Sequence, residues 1–224
     1  MTSFNGRVYT WGHLQGVRTT CLLARDRIAP MPSPAPLEVG KSYHIYNRGN
    51  NGENLFRQTQ DYRNFLRLYR KHLEPVCETF AYCLMPNHFH LLIRVRDNML
   101  ADSNGQPIHR LPGQALANLF VAYTKTMNNM LERTGSLFEH PFHRKGVEDD
   151  TYFARLVVYI HLNSQRHGFV DDFRVWPWSS YSTLLGHGAT LLERDAVLGR
   201  FGGSENFAAA HRAVVDETLA ADDF

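Results

Sequence analysis

Cysteine is scarce in this chain: Cys21, Cys77 and Cys83 are the only three in 224 residues, and no two stand in C-x-x-C spacing. An odd, scattered set excludes both a disulfide framework and a zinc knuckle, and leaves buried free thiols. Long apolar runs are missing as well. Nothing approaches the roughly 18 to 20 uninterrupted residues of a membrane span, and the N-terminal stretch, broken by Arg7, Arg18, Arg25 and Arg27, lacks a secretion signal's apolar block. A soluble, cytoplasmic protein with no membrane partner is the expectation. No internal repeat is visible. Net charge is also small, +2, yet it is unevenly spread. Residues 41 to 96 hold nine Lys or Arg against four Asp or Glu, whereas residue 190 onward holds three against seven. A basic working face with an acidic tail accounts for that asymmetry, and so does a solvated helix surface.

With 43% hydrophobic residues, the chain is long enough for one compact domain and a small appendage. Pro30, Pro32, Pro34 and Pro36 close a poorly patterned opening stretch that builds neither helix nor central strand. Residues 1–39 are therefore read as an arm or linker, 40–187 as a catalytic domain, and 188–224 as a C-terminal helical extension. In "KSYHIYNRGNNG", Tyr43 to Tyr46 read as a strand closed by the turn residues Asn50, Asn51 and Gly52. A helix follows, with Tyr62, Phe65, Leu66, Tyr69 and Leu73 at three- and four-residue steps. "CETFAYCLM" and "HFHLLIRV", joined at Pro86 and Asn87, read as two adjacent strands at the sheet centre. After a loop from Asp97 to Gly113, helices are expected from about Gln114 to Arg133 and from about Thr151 to Arg166, the second stopped by Gly168. Strands interrupted by helices give an α+β fold, an antiparallel sheet with helices packed against it.

Two residue groups carry chemistry. In "HFH" the two-residue period of a strand sets His88 and His90 on one face and Phe89 on the other. Side chains so related stand about 6 to 7 Å apart at the backbone, a gap two imidazoles can close on one ion. Half-buried histidines bonded to carbonyls would show the same pattern. Tyr159 and Asn163, four apart on the predicted helix "DTYFARLVVYIHLNSQRHG", share a face one turn apart. They read equally as a core tyrosine beside a capping asparagine.

The segments "YHIYNRGNNGENLF", "YCLMPNHFHLLIRV", "GSLFEHPFHRKGVEDDTYF", "YIHLN" and "WPWSSY", in this order and at these separations, resemble the single-tyrosine HUH transposases. The resemblance is to the REP-associated tyrosine transposase group in particular, and it spans roughly residues 40 to 205. It implies a ferredoxin-like or RRM-like core and a Mg²⁺ or Mn²⁺ ion held by His88, His90 and Asn163. It implies Tyr159 as the nucleophile that forms a 5′-phosphotyrosine, and imperfect DNA hairpins with single-stranded flanks as substrates, which would put the protein at the nucleoid. Two features depart from the pattern. Ser164 stands where such proteins usually carry proline after the motif's asparagine, and the opening arm has no counterpart.

Cations interleaved with rings, as single-strand grooves use them, occur at Tyr43, Tyr46 and Arg48 and again at Phe142, His143, Arg144 and Lys145. His161 receives no role, and His167, at the helix end, is read as a C-terminal cap. Other readings are a domesticated hairpin-binding protein that cuts little, and a phosphoesterase using the two histidines to activate water; scarce nearby carboxylates weigh against the latter. Replication initiators and relaxases share the chemistry but commonly carry extra domains. A single tyrosine makes one attack at a time, so paired cleavages call for a homodimer or sequential resetting.

Overall fold

A computed structural model describes residues 36–97 and 111–222, with side chains through residue 215. The opening arm up to residue 35 and most of the loop expected after Asp97 lie outside the described residues. Four strands, β1 (Ser42–Arg48), β2 (Cys77–Met85), β3 (His88–Val95) and β4 (His143–Val147), form one antiparallel sheet in the order β2-β3-β1-β4. The helices are α1 (Thr59–His72), α2 (Pro112–Met130), α3 (Asp150–Arg166), α4 (Tyr181–Leu185), α5 (Arg194–Phe201) and α6 (Ser204–Asp222). The α+β architecture matches expectation. Among the described residues no helix is long and apolar enough to cross a membrane.

Both faces of the sheet are used, which explains why its strands read as nearly continuous apolar runs rather than a clean alternation. On one face Tyr43, Ile45, Phe89, Leu91 and Ile93 pack under α1 and α2 together with Phe56, Phe65 and Tyr123. Asp61 is buried yet satisfied, because its Oδ2 accepts the backbone N–H of Arg57 at 2.8 Å and of Gln58 at 3.1 Å and so caps α1. Leu116, Leu119, Phe120 and Tyr123 line the inner side of α2 as their spacing predicts, and the Tyr123 hydroxyl donates to the Leu55 carbonyl at 2.6 Å.

On the other face Phe80, Ala81, Cys83, Met85 and Leu92 lie under α3, α5 and α6. Asp149 caps α3 by accepting the Tyr152 N–H at 2.7 Å, and Gly168 ends the turn beyond it at φ 69°. With Ser164 in place of the family's usual proline, α3 runs on through it to Arg166. The Trp-Pro-Trp segment lies along the outer edge of β2: Leu84 N–H donates to Trp178 O, Ser180 N–H to Tyr82 O, and the Trp176 indole to Leu84 O. Edge groups that would otherwise solicit another strand are thereby covered.

A buried hydrogen-bond chain ties α6 to this layer. His211 Nδ1–H donates to the Phe207 carbonyl at 2.7 Å, leaving Nε2 to accept from His161 Nδ1 at 2.8 Å. His161 Nε2 in turn accepts the Ser180 hydroxyl at 2.7 Å, and Ser180 Oγ accepts the Tyr82 N–H. With neutral imidazoles every donor has its acceptor. Burial holds His211 down to about 4 from its ordinary value, and His161 well below its own. A proton added here would place charge among Phe207, Tyr181 and Phe173 and reverse the tautomer of His161. The stabilisation is therefore complete above the unfolded histidine value near 6.5 and is lost as pH falls toward 4. Urea unfolding should show His211 contributing about 3 kcal/mol less at pH 4 than at pH 7, and His211→Gln should flatten that pH slope. An equal slope in wild type and variant would refute this account.

Candidate nuclease site

The pleat and the register of β1 against its neighbours assemble the site. Tyr46 stands opposite both His90 on β3 and His143 on β4, Arg48 opposite His88, and His44 opposite Leu92 and Lys145. Alternation then puts His44, Tyr46, Arg48, His88, His90, His143 and Lys145 on one face. Because α3 covers the β2 side of that face, the β1 side opens into a cleft of about 550 Å³, walled by Tyr46, Arg48, His88, His90, His143 and Tyr159 among others.

His88 and His90 stand with ring centroids 5.4 Å apart and planes at 87°. Each has its Nδ1 engaged: His88 with Asn87 Oδ1 at 2.7 Å, His90 with His44 Nε2 at 2.9 Å. The Asn87 oxygen can only accept, so His88 carries its proton on Nδ1 when neutral and presents a bare Nε2. If His90 donates to His44 in the same way, its Nε2 is bare too. Burial lowers the pKa of His90 to about 2, helped by neighbouring His44, His88 and His167. Burial likewise lowers His88 to about 4, aided by His167 and Arg48, and His44 to about 4, aided by Lys145. Neutral imidazoles with free Nε2 lone pairs are the form that binds divalent metal. Two such nitrogens suit Mg²⁺ or Mn²⁺ only with oxygen ligands added. Among the described residues no group of three or more His, Cys, Asp or Glu side chains stands ready to hold an ion.

Tyr159 reaches the cleft from α3. The residue is 36% exposed, and its ring meets His90 edge-on at 5.6 Å. Asn163 lies one turn further along, buried, its amide donating to the Tyr159 carbonyl at 2.7 Å. That leaves Oδ1 as its free ligating atom, although Asn163 is not part of the cleft wall.

The remaining predicted residues divide. Tyr46, 5.7 Å from His90 and stacked on His143 at 4.9 Å and 11°, makes a ladder of rings across three strands. Arg48 borders the cleft and pairs with Glu139 at 3.5 Å. Lys145 shares the face, with its ammonium over the Tyr152 ring. Tyr43 does not join them: the pleat turns it to the other face, buried, with its hydroxyl accepting the Glu38 N–H at 2.9 Å. Arg144 also points that way, over Phe142, which packs on Phe120.

The cleft residues Asn87, Glu139 and His167 escaped the sequence reading, as did His44, which stands behind His90 rather than in the cleft wall. His167 does sit at the end of α3 as a cap would, yet its ring meets His88 at 4.6 Å. Glu139 brings a carboxylate where none was expected. Only β1–β3 pairing reveals His44, since its sequence distance from His90 is 46 residues.

No family model matches the chain. A Haemophilus influenzae protein provisionally named a REP-associated tyrosine transposase is 26% identical over 129 residues, covering 53% of this chain and 69% of that protein. A solved REP-associated tyrosine transposase bound to a REP hairpin superposes with a TM-score of 0.54 at 16% identity, over 72% of this chain and 89% of that one. In sequence and in fold the chain is similar to the REP-associated tyrosine transposases. A Deinococcus radiodurans protein provisionally described as a transposase covers 58% of this chain at 17% identity, with a TM-score of 0.35 that is too low to argue from.

Proposed function

We propose that this protein is a metal-dependent, single-tyrosine transposase that cleaves and rejoins single-stranded flanks of DNA hairpins. The observation that carries the reading is one cleft lined by a partly exposed Tyr159 and two neutral, paired histidines. It is supported by the likeness to a transposase solved on a hairpin.

Tyr159 Oη would attack the phosphorus of the scissile phosphodiester. The new Oη–P bond replaces the P–O3′ bond, the downstream strand becomes a 5′-phosphotyrosine, and the phenol proton ends on the departing 3′-oxygen. The bond energy is kept for the reverse step. His88 and His90, with Asn163 Oδ1 as the proposed third ligand, would hold a Mg²⁺ or Mn²⁺ ion supplying charge neutralisation at the phosphate and leaving oxygen. His44, 2.9 Å from His90 Nδ1, would orient that ring by receiving its Nδ1–H, leaving Nε2 for the ion. Exposed His143, backed by the stacked Tyr46 ring, would offer a face for an unstacked base, and Arg48 and Lys145 would offer charge to the backbone.

A water-activating phosphoesterase is the second reading, favoured by Glu139 in the cleft wall. The two differ in covalency. Incubating wild type with a library of labelled hairpin oligonucleotides bearing randomised single-stranded flanks, with Mn²⁺, should give an SDS-resistant adduct. Chelator and Tyr159→Phe should each abolish it. Cleavage with no adduct would establish the phosphoesterase instead.

His44→Ala should weaken Mn²⁺ binding about 10- to 100-fold, as loss of a ligand-orienting partner does, measured by titration calorimetry without DNA. Unchanged affinity would remove His44 from the site.

A further inference from the structure

Tyr159 borders two hollows. Besides the cleft over the sheet, it lines a groove of about 350 Å³ on the far flank of α3, where α5 and α6 rise. The floor of that groove is apolar, with Ala154, Val158, Phe201 and Ala210. Its rim carries Arg155, one turn before Tyr159, and Arg166, two turns after, whose guanidinium lies 5.6 Å over the Tyr159 ring. Both arginines are exposed, and among the described residues neither is ion-paired to a carboxylate. Of the other exposed arginines of this half, Arg174 pairs with Asp172 and Arg200 with Asp150, while Arg212, away from this groove, has no ion pair among the described residues either.

We infer that this groove seats the DNA strand that becomes attached to Tyr159, its phosphates held by Arg155 and Arg166 and its first base laid on the Val158–Phe201 floor. The inference rests on the transposase reading. In-line attack puts the departing 3′-oxygen on the side of phosphorus away from Tyr159, so the upstream strand stays over the histidines. The downstream strand, carried on the 5′-oxygen, needs a separate path, and the sheet closes the cleft floor. The groove runs along α3, flanked by two cations that make no ion pair among the described residues. An apolar floor with a cationic rim is the chemistry of single-strand seats. Phosphodiester charge also suits Arg166 beside the ring: it steadies a developing phenolate before attack and the phosphotyrosine afterwards, with no new bond of its own.

Two measurements on the full chain test this. In the first, an oligothymidylate ten-mer is titrated by fluorescence anisotropy at several salt concentrations. Arg155→Ala with Arg166→Ala should reduce the slope of log affinity against log salt by about 1.4, at roughly 0.7 per phosphate contact. The paired Lys substitutions should restore it. In the second, adduct-forming hairpins from the randomised library carry 5-iododeoxyuridine just downstream of the cleaved phosphate. Irradiated wild-type adduct should cross-link within α3, α5 or α6 at the groove, and the double Ala variant should give about 10-fold less adduct. An unchanged slope, or cross-links confined to Tyr46 and His143, would overturn the groove while the adduct itself keeps the transposase reading intact. Absence of any wild-type adduct would overturn both.

Discussion

Register between β1 and β3 is the constraint from which the rest of the site follows. Pairing Tyr46 with His90 and Arg48 with His88 lines up one face of two strands, and the His44–His90 hydrogen bond links them. A slip of one residue would move Ile45 to the cleft and His44 into the aromatic layer beneath α1 and α2. That layer, built on Phe56, Phe65, Phe89 and Tyr123, makes the slip costly. The core therefore specifies the geometry of residues it never touches.

A second constraint is how much of the sheet the helices cover. Above β2 and β3 lies α3, fixed by its apolar side and by the Ser180–His161–His211 chain that binds α6 and the segment after the tryptophans to the same layer. Above β1 and β4 that face stays open. Tyr159 stands at the boundary, partly exposed between its buried neighbours Val158 and Ile160. The arrangement couples the C-terminal helices to the placement of the tyrosine, since the groove behind it exists only where α5 and α6 are docked. It also explains why residues assigned to an extension contribute Val197, Phe207 and His211 to the buried layer.

Much of this was legible because periodicity reports burial. The strand and helix order, the inward residues of α1 and α2, and the shared face of His88 and His90 follow from two- and 3.6-residue periods, which the backbone enforces locally. Boundaries were less accurate: α2 begins at Pro112 rather than Gln114, since proline suits the first turn. Grouping Tyr43 with Tyr46 and Arg48 by closeness in sequence failed for the same geometric reason that the histidine pair succeeded. Odd and even positions part company on a pleat.

By itself the sequence determined which residues alternate, the order of strands and helices through α3, and that His88 and His90 point the same way, because these depend on neighbours a few bonds distant. Only the tertiary structure decided that His44 meets His90, that Glu139 and His167 join the cleft, and that Arg155 and Arg166 rim a groove behind Tyr159. Those contacts join positions tens of residues apart, or one element to another. They are set by strand pairing and helix docking, which a linear pattern does not encode.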